Sequence, residues 1–288
     1  MLEIGSVSHV YADGTQALDG VSLSIDKGLF GLLGPNGAGK SSLMRIVATL
    51  QLPTTGSVTF AGIDARADPR RVRRRLGYLP QDFGVYPGVS AEALFDQIAV
   101  LKGLANRTER RAAAERLLKL VNLWEVRGRA VSSFSGGMRQ RWGVAQALIG
   151  EPDLLILDEP TAGLDPAERN RFHELLFDLG EKAVVIVSTH SVEDVADLCS
   201  GVAVLAGGRL LAGGAPAALA RALDGSVWQG PAVAALPCGR LLSRRLIGGR
   251  RIARVLAEDQ PGSDFARVPS TLEDAYFAAL PRAMAPSE

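Results

Sequence analysis

Cysteine is scarce in this chain of 288 residues. Cys199 and Cys238 stand alone with no metal-ligand spacing, which excludes a disulfide framework and points to reduced, intracellular thiols. Long apolar runs are missing too. No window approaches the ~18 uninterrupted apolar residues that a membrane span requires, and Met1-Leu2-Glu3-Ile4 shows no basic stretch with an apolar core behind it. The expectation is a chain that stays in the cytoplasm and does not cross a membrane by itself. An excess of either charge is lacking, with 32 Lys and Arg against 31 Asp and Glu, so no nucleic-acid partner is expected. Lysine is confined to Lys27, Lys40, Lys102, Lys119 and Lys182. One local exception stands out: Arg70, Arg71, Arg73, Arg74 and Arg75 crowd a short helix that Asp68 would cap and Pro69 would start. A solvated face is its plain reading, and contact with a partner or lipid headgroups is the other.

What is present is an alternation of apolar strands and helices. Strands are expected over residues 2–10, 21–25 and 29–33, with a turn at Ala12-Asp13-Gly14, then a helix over 40–50, a strand over 57–60 and a short strand over 76–79 closed by Pro80-Gln81. Between Ser90 and Leu123 the period becomes helical, with Ala91, Leu94, Phe95, Ile98 and Leu101 on one face and Leu117, Leu118, Leu120 and Val121 on another. That stretch reads as a helical insert, about 82–145. The α/β pattern resumes with helices over 136–149 and 166–179 and buried strands over 154–157 and 184–188, the mark of a parallel sheet covered on both faces. From about 224 the character shifts to short strands over 226–229 and 251–256 and a last helix over 272–280, with Ser270 as its cap and Glu273 completing a capping box. The expected organisation is a large α/β domain over 1–223 and a small α+β unit over 224–288.

The strand over 29–33 runs directly into Gly34-Pro35-Asn36-Gly37-Ala38-Gly39-Lys40-Ser41-Ser42, the order that phosphate binding needs. The three glycines let successive N–H groups turn inward on phosphate oxygens, Lys40 would meet the β- and γ-phosphates of a triphosphate, and the Ser41 hydroxyl would ligate Mg2+. A second cluster ends the strand over 154–157. Asp158 there is placed for Mg2+, and Glu159, one residue on, could take a proton from or orient an attacking water. A third feature is Ser135-Gly136-Gly137, which opens a helix. It reads either as a simple cap or as a second anion site, and no phosphate of the same chain is assigned to it.

With these in order, residues 2–222 resemble the ATP-binding subunit of ABC transporters. The resemblance rests on Tyr11, the loop at 34–42, Gln81, Ser135-Gly136-Gly137, Leu157-Asp158-Glu159-Pro160, Ala162-Gly163-Leu164-Asp165 and Ser188-Thr189-His190. It implies an α/β P-loop ABC ATPase core with a parallel sheet, a β-rich N-terminal subdomain, a helical insert and the C-terminal appendage. It also implies ATP and Mg2+ as ligands. Tyr11 would stack on adenine, Gln81 would reach the metal and the attacking water, and His190 would contact the γ-phosphate. Ser135, Gly136, Gly137 and Asp165 would act across a dimer, on ATP held by the loop of a second copy or of a related ATPase subunit. Phe134 and Met138 stand where the family carries leucine and glutamine.

The segment 77–87 and the ending 269–276 resemble, more loosely, the branch that powers bacterial efflux of drugs, antibiotics and lipids through a separate membrane-spanning permease. The chain would then sit on the cytoplasmic side of the cell membrane, held there by that partner. Phe83, Val85 and Tyr86 follow Gln81 and are candidates either for the groove that holds a partner helix or for packing within the insert. His9 and His173 are expected to be structural or exposed. A non-transport ABC ATPase acting on ribosomes or nucleic acid is the alternative. It usually carries paired domains, coiled coils or zinc-binding cysteines, and none of these is present. A P-loop GTPase or kinase is a second alternative, for which no Asn-Lys-x-Asp guanine motif is present and the Ser-Gly-Gly site would be unexplained.

Overall fold

In the computed structural model, which describes residues 1–161, 164–232 and 238–281, three sheets organise the chain. Strands β1 (Leu2–Val10), β2 (Gln16–Ile25), β4 (Thr55–Phe60) and β5 (Ile63–Asp64) make an antiparallel sheet in the order β2-β1-β4-β5. Leu2 and Ile4 alternate inward, the left-handed Ser6 then bulges, and Val7 and His9 restore the inward face.

The central sheet has the order β10-β9-β3-β8-β7-β6, from β3 (Gly28–Leu33), β6 (Leu76–Leu79), β7 (Leu154–Asp158), β8 (Val184–Ser188), β9 (Gly201–Ala206) and β10 (Arg209–Gly214). All neighbours are parallel except β10 on β9. Every residue of β7 and β8 is buried, because both faces are covered. Leu154 and Ile156 pack toward the N-terminal sheet and α1 (Lys40–Val47). Leu155 and Leu157 pack toward the opposite layer, which holds α3 (Ala91–Leu101), α4 (Arg107–Leu120), α5 (Gly136–Ala147) and α6 (Pro166–Gly180). The short α2 (Pro69–Arg74) lies between β5 and β6, capped by the Asp68 carboxylate at the Arg71 N–H as expected, with Val72 buried and Arg70, Arg71, Arg73 and Arg74 exposed.

The helical insert forms where its period placed it, with two exceptions. Leu101 and Leu120, assigned to core faces, are 86% and 49% exposed. Leu101 closes α3 and stands at a cleft instead. The first helix also stops short of Leu50, because Thr49 is left-handed.

Helices α7 (Val192–Leu198) and α8 (Pro216–Arg221) precede a third, antiparallel sheet of β11 (Val227–Pro231), β12 (Arg240–Ile247), β13 (Arg250–Leu256) and β14 (Ala266–Arg267), ordered β12-β13-β11-β14. The last helix, α9 (Leu272–Ala279), does not stay with that sheet alone. Leu272 shares a core with Leu33, Val195, Val202 and Val204, and Tyr276 and Leu219 pack on it.

The expected cap of α9 is corrected. Thr271 is the N-cap and Asp274 the reciprocal partner. Ser270 instead donates to the Ala220 carbonyl at 2.7 Å, and Glu273 pairs with Arg245. The choice between adjacent hydroxyl residues is tertiary: Arg254 clamps Asp274 through two bonds of 2.8 and 2.6 Å and so fixes which carboxylate lies at the helix start. Among the described residues no helix is long and apolar enough to cross a membrane.

Candidate functional site

Strand β3 delivers the glycine-rich loop into a space that admits no side chain at two points. A Cβ on Gly34 would stand 2.3 Å from the Leu205 carbonyl oxygen, and one on Gly39 would stand 2.5 Å from that of Ala17; both glycines also have positive φ. Lys40 opens α1 and folds across its own loop, its ammonium donating to the Gly34 and Pro35 carbonyls at 2.5 and 3.0 Å. Burial pushes the Lys40 ammonium below its usual pKa, while the carboxylates of Glu159 and Asp158 oppose that shift. A cation so confined is poised to be neutralised by phosphate.

Ser41 donates to Asp158 Oδ2 at 3.3 Å, although 117 residues separate them. A hydroxyl and a carboxylate brought together in this way are hard oxygen donors of the kind that magnesium accepts, so the residues present fit a magnesium nucleotide. Ser42 meets the hydroxyl of Tyr11 at 2.8 Å. That contact, ahead of smaller effects from Gln51 and Arg45, holds the phenol below its usual pKa despite burial. His9 lies edge-on to the Tyr11 ring at 4.7 Å and contacts Gln51, a structural place as expected. His173 pairs with Asp194 at 3.7 Å, also away from the loop.

The end of β7 is organised by β8. Asp158 and Ser188 are register partners, and the Ser188 hydroxyl donates to Asp158 Oδ1. The Glu159 N–H reaches the Ser188 carbonyl at 3.1 Å, and Glu159 adopts φ 49°, a left-handed conformation that a non-glycine residue rarely takes. That turn aims its side chain at two groups. Gln81 Nε2 donates to Glu159 Oε2 at 3.3 Å, and His190 Nδ1 lies 3.6 Å from Oε1. Gln81, Glu159 and His190, read from three separate strand ends, are therefore brought together. Sequence reasoning gave no role to Ser188, quoted only within the motif Ser188-Thr189-His190, or to Gln140, whose amide approaches the Glu159 carbonyl at 3.5 Å. For Ser188 the signal was a lone hydroxyl ending an otherwise apolar strand.

The remaining expected residues lie apart from this cluster. Ser135 caps α5, accepting from the Met138 N–H at 3.2 Å, and Asp165 caps α6, accepting from the Glu168 N–H at 2.8 Å. Among the described residues neither side chain bonds to the loop at 34–42. Ala162 and Gly163 lie outside the described residues. Phe134 fills the core beside α5, and Met138 packs partly against it, so both departures from the family pattern are absorbed by apolar packing. The aromatics after Gln81 divide. Phe83 stacks on Trp142 at 6.2 Å, Val85 packs on the same core, and Tyr86 is 67% exposed.

The sequence profile of the family described as ABC transporter matches residues 18–162. The daunorubicin/doxorubicin resistance ATP-binding protein DrrA of Streptomyces peucetius is 37% identical over 228 residues, which cover 78% of this chain and 68% of that relative. The linearmycin resistance ATP-binding protein LnrL of Bacillus subtilis (strain 168) is 34% identical over 227 residues, 78% of this chain and 72% of that one. Among solved structures, the dimeric post-hydrolysis state of the ATP-binding cassette MJ0796 bound to ADP and Pi superposes with a TM-score of 0.70 at 27% identity, covering 75% of this chain and 98% of its own.

Proposed function

The chain belongs to the ABC transporter family as an ATP-binding subunit, an ATPase coupled to transport, and from that premise we propose that two such subunits sandwich two ATP molecules and drive export of a small molecule or lipid through a separate permease. The convergence of Gln81 and His190 on the Glu159 carboxylate, beside Ser41 and Asp158, carries this reading. Glycines 34, 37 and 39 with Lys40 and Ser42 hold the phosphates, and Tyr11 lies beside the same helix for the base. Ser41, Asp158 and Gln81 would hold Mg2+, which when bound neutralises charge on the β- and γ-phosphates.

Glu159 takes the proton of the water that attacks the γ-phosphorus, the bond to the β-phosphate oxygen breaks, and ADP leaves. Gln81 orients that water, and His190 donates toward the γ-phosphate. Ser135, Gly136 and Gly137 supply helix N–H groups to the partner's γ-phosphate, and Asp165 reaches the same interface. The resistance functions named for the two relatives support export.

Permease docking is assigned to a cleft of about 560 Å³ between α2 and α3, lined by Leu50, Arg70, Arg73, Arg74, Ile98 and Leu101 among others. Tyr86 stands on the same connecting segment as Gln81. The subunit is thereby peripheral, on the cytoplasmic side of the membrane, with 224–288 as an appendage docked through α9.

Mixing two damaged chains tests the sandwich. Ser135→Arg should block turnover while leaving nucleotide affinity of its own chain unchanged. A mixture with Lys40→Ala should regain ATP-dependent pairing, because one of its two sites combines an intact loop with an intact Ser-Gly-Gly helix. Loss of ATP affinity by the isolated Ser135→Arg chain would place Ser135 beside its own nucleotide and overturn the reading.

A further inference from the structure

Glu168 begins as an ordinary third residue of α6, with its N–H held by the Asp165 carboxylate. Its side chain does not turn back to complete a capping box. It crosses to α5 instead, where Oε1 meets Arg141 Nη2 at 2.9 Å and Oε2 lies only 2.7 Å from where a Cβ on Gly137 would stand. Gly137 and Arg141 are one helical turn apart, so the carboxylate lies along the opening turn of the Ser-Gly-Gly helix. The same guanidinium donates from Nη1 to the Val121 carbonyl at 3.0 Å, at the end of α4. The two charged side chains are 21% and 25% exposed, which sets the pair apart from an exposed ion pair such as Arg116–Glu151 at 56% and 75%.

We infer that Arg141 and Glu168 are positioning residues for the half-site that this chain presents to a second copy's nucleotide, a role that rests on the two-chain reading above. They act in two ways. The pair joins α5, which opens at Ser135-Gly136-Gly137, to the start of α6, which opens at Asp165, so both groups meant for the partner move as one body. The pair also settles a charge conflict. A carboxylate beside the first turn of α5 would repel the γ-phosphate that this turn is meant to attract, and Arg141 cancels it. A Cβ at Gly137 would stand against that carboxylate and oblige it to shift, so glycine here lets the carboxylate lie close along the helix.

The two roles predict an asymmetry that a purely structural clasp lacks. Removing the cation leaves an unpaired carboxylate beside the anion site, whereas removing both charges leaves none. In a Glu159→Gln background, which is expected to trap the ATP-bound dimer, Arg141→Ala should raise the ATP concentration needed for dimerisation on the order of tenfold. Arg141→Ala with Glu168→Gln should recover part of that loss. Affinity of the monomer for a fluorescent ATP analogue should not move, because among the described residues neither side chain bonds to the loop at 34–42.

Arg141→Gln serves where Arg141→Ala does not fold, since it removes the charge and keeps a donor for the Val121 carbonyl. Arg116→Ala is the control for losing an ion pair. Wild-type dimerisation by the Arg141 variants, or a double variant no better than the single one, would overturn the inference. If Ser135→Arg itself leaves the trapped dimer intact, the two-chain reading fails instead.

Discussion

Gln81 and Glu159 are 78 residues apart in the chain and hydrogen-bond at 3.3 Å, amide to carboxylate. Gln81 follows β6 at the edge of the sheet and leads into the helical insert, while Glu159 immediately follows the buried strand β7. One contact therefore joins the segment assigned to permease docking to the carboxylate assigned to hydrolysis. On the proposed reading, movement of the insert would reach the attacking water through this shared contact.

Replacing Glu159 by glutamine keeps the hydrogen bond available to Gln81 and removes the proton acceptor. Mg·ATP should still bind, with turnover reduced at least about 100-fold. Sizing chromatography with ATP should show a trapped dimer. A monomer under those conditions, with no association restored by a related subunit, contradicts the sandwich.

Lys40→Ala deletes a buried cation that, among the described residues, bonds only to the carbonyls of its own loop. High-affinity ATP binding should be lost, by about 100-fold or more. Thermal stability should hold, because burial already disfavours the ammonium. Near-normal ATPase activity in this variant would remove the phosphate site from residues 34–42.

Phe83 and Tyr86 should behave oppositely. Phe83 is partly buried against the core and stacks on Trp142, so Phe83→Ala should destabilise the isolated subunit by about 2 kcal/mol in denaturant unfolding. Tyr86→Glu should leave stability unchanged and weaken copurification with the permease, since the ring is already in solvent. A stability loss for Tyr86→Glu would return it to the core.

Cys199 and Cys238 give a chemical check on burial. Burial, with a smaller contribution from Asp194, pushes the Cys199 thiol up to about 12, whereas Cys238 is exposed. Iodoacetamide at pH 8 should add one group to the native chain and two in denaturant, read by mass. The same shift sets a direction for stability. Between pH 9 and about 12 the unfolded thiol ionises and the folded one does not, so stability should fall as pH rises through that window.

The chemistry was more legible in the sequence than the packing around it. Glycines 34 and 39 announce themselves because only glycine tolerates their φ and the carbonyls that crowd them, and β7 announces itself by a continuous apolar run. What the linear text hides is choice between neighbours. Ser270 and Thr271 are both fit to cap α9, and Arg254 on a distant strand decides. Phe83 and Tyr86 share a turn, and Trp142 takes only one. Strand β12 escaped notice because a bulge between Leu241 and Ser243 breaks its period and four arginine or aliphatic positions after it all face solvent. Arg141 and Glu168 belong to different helices, and no spacing rule pairs them.

Helix α9 bears on how the protein is made. Leu272 completes the apolar wall around Leu33, the last residue of the strand that carries the phosphate loop. A ribosome delivers Leu33 long before Leu272, so the nascent chain carries every nucleotide motif while part of the cover over this side of its sheet is still missing. Through that interval the apolar wall that Leu272 completes is a hazard of aggregation, removed once α9 is made and docks. A premature stop after residue 223 would yield a polypeptide with its chemistry intact and an adhesive flank, and quality control would meet it before any permease did.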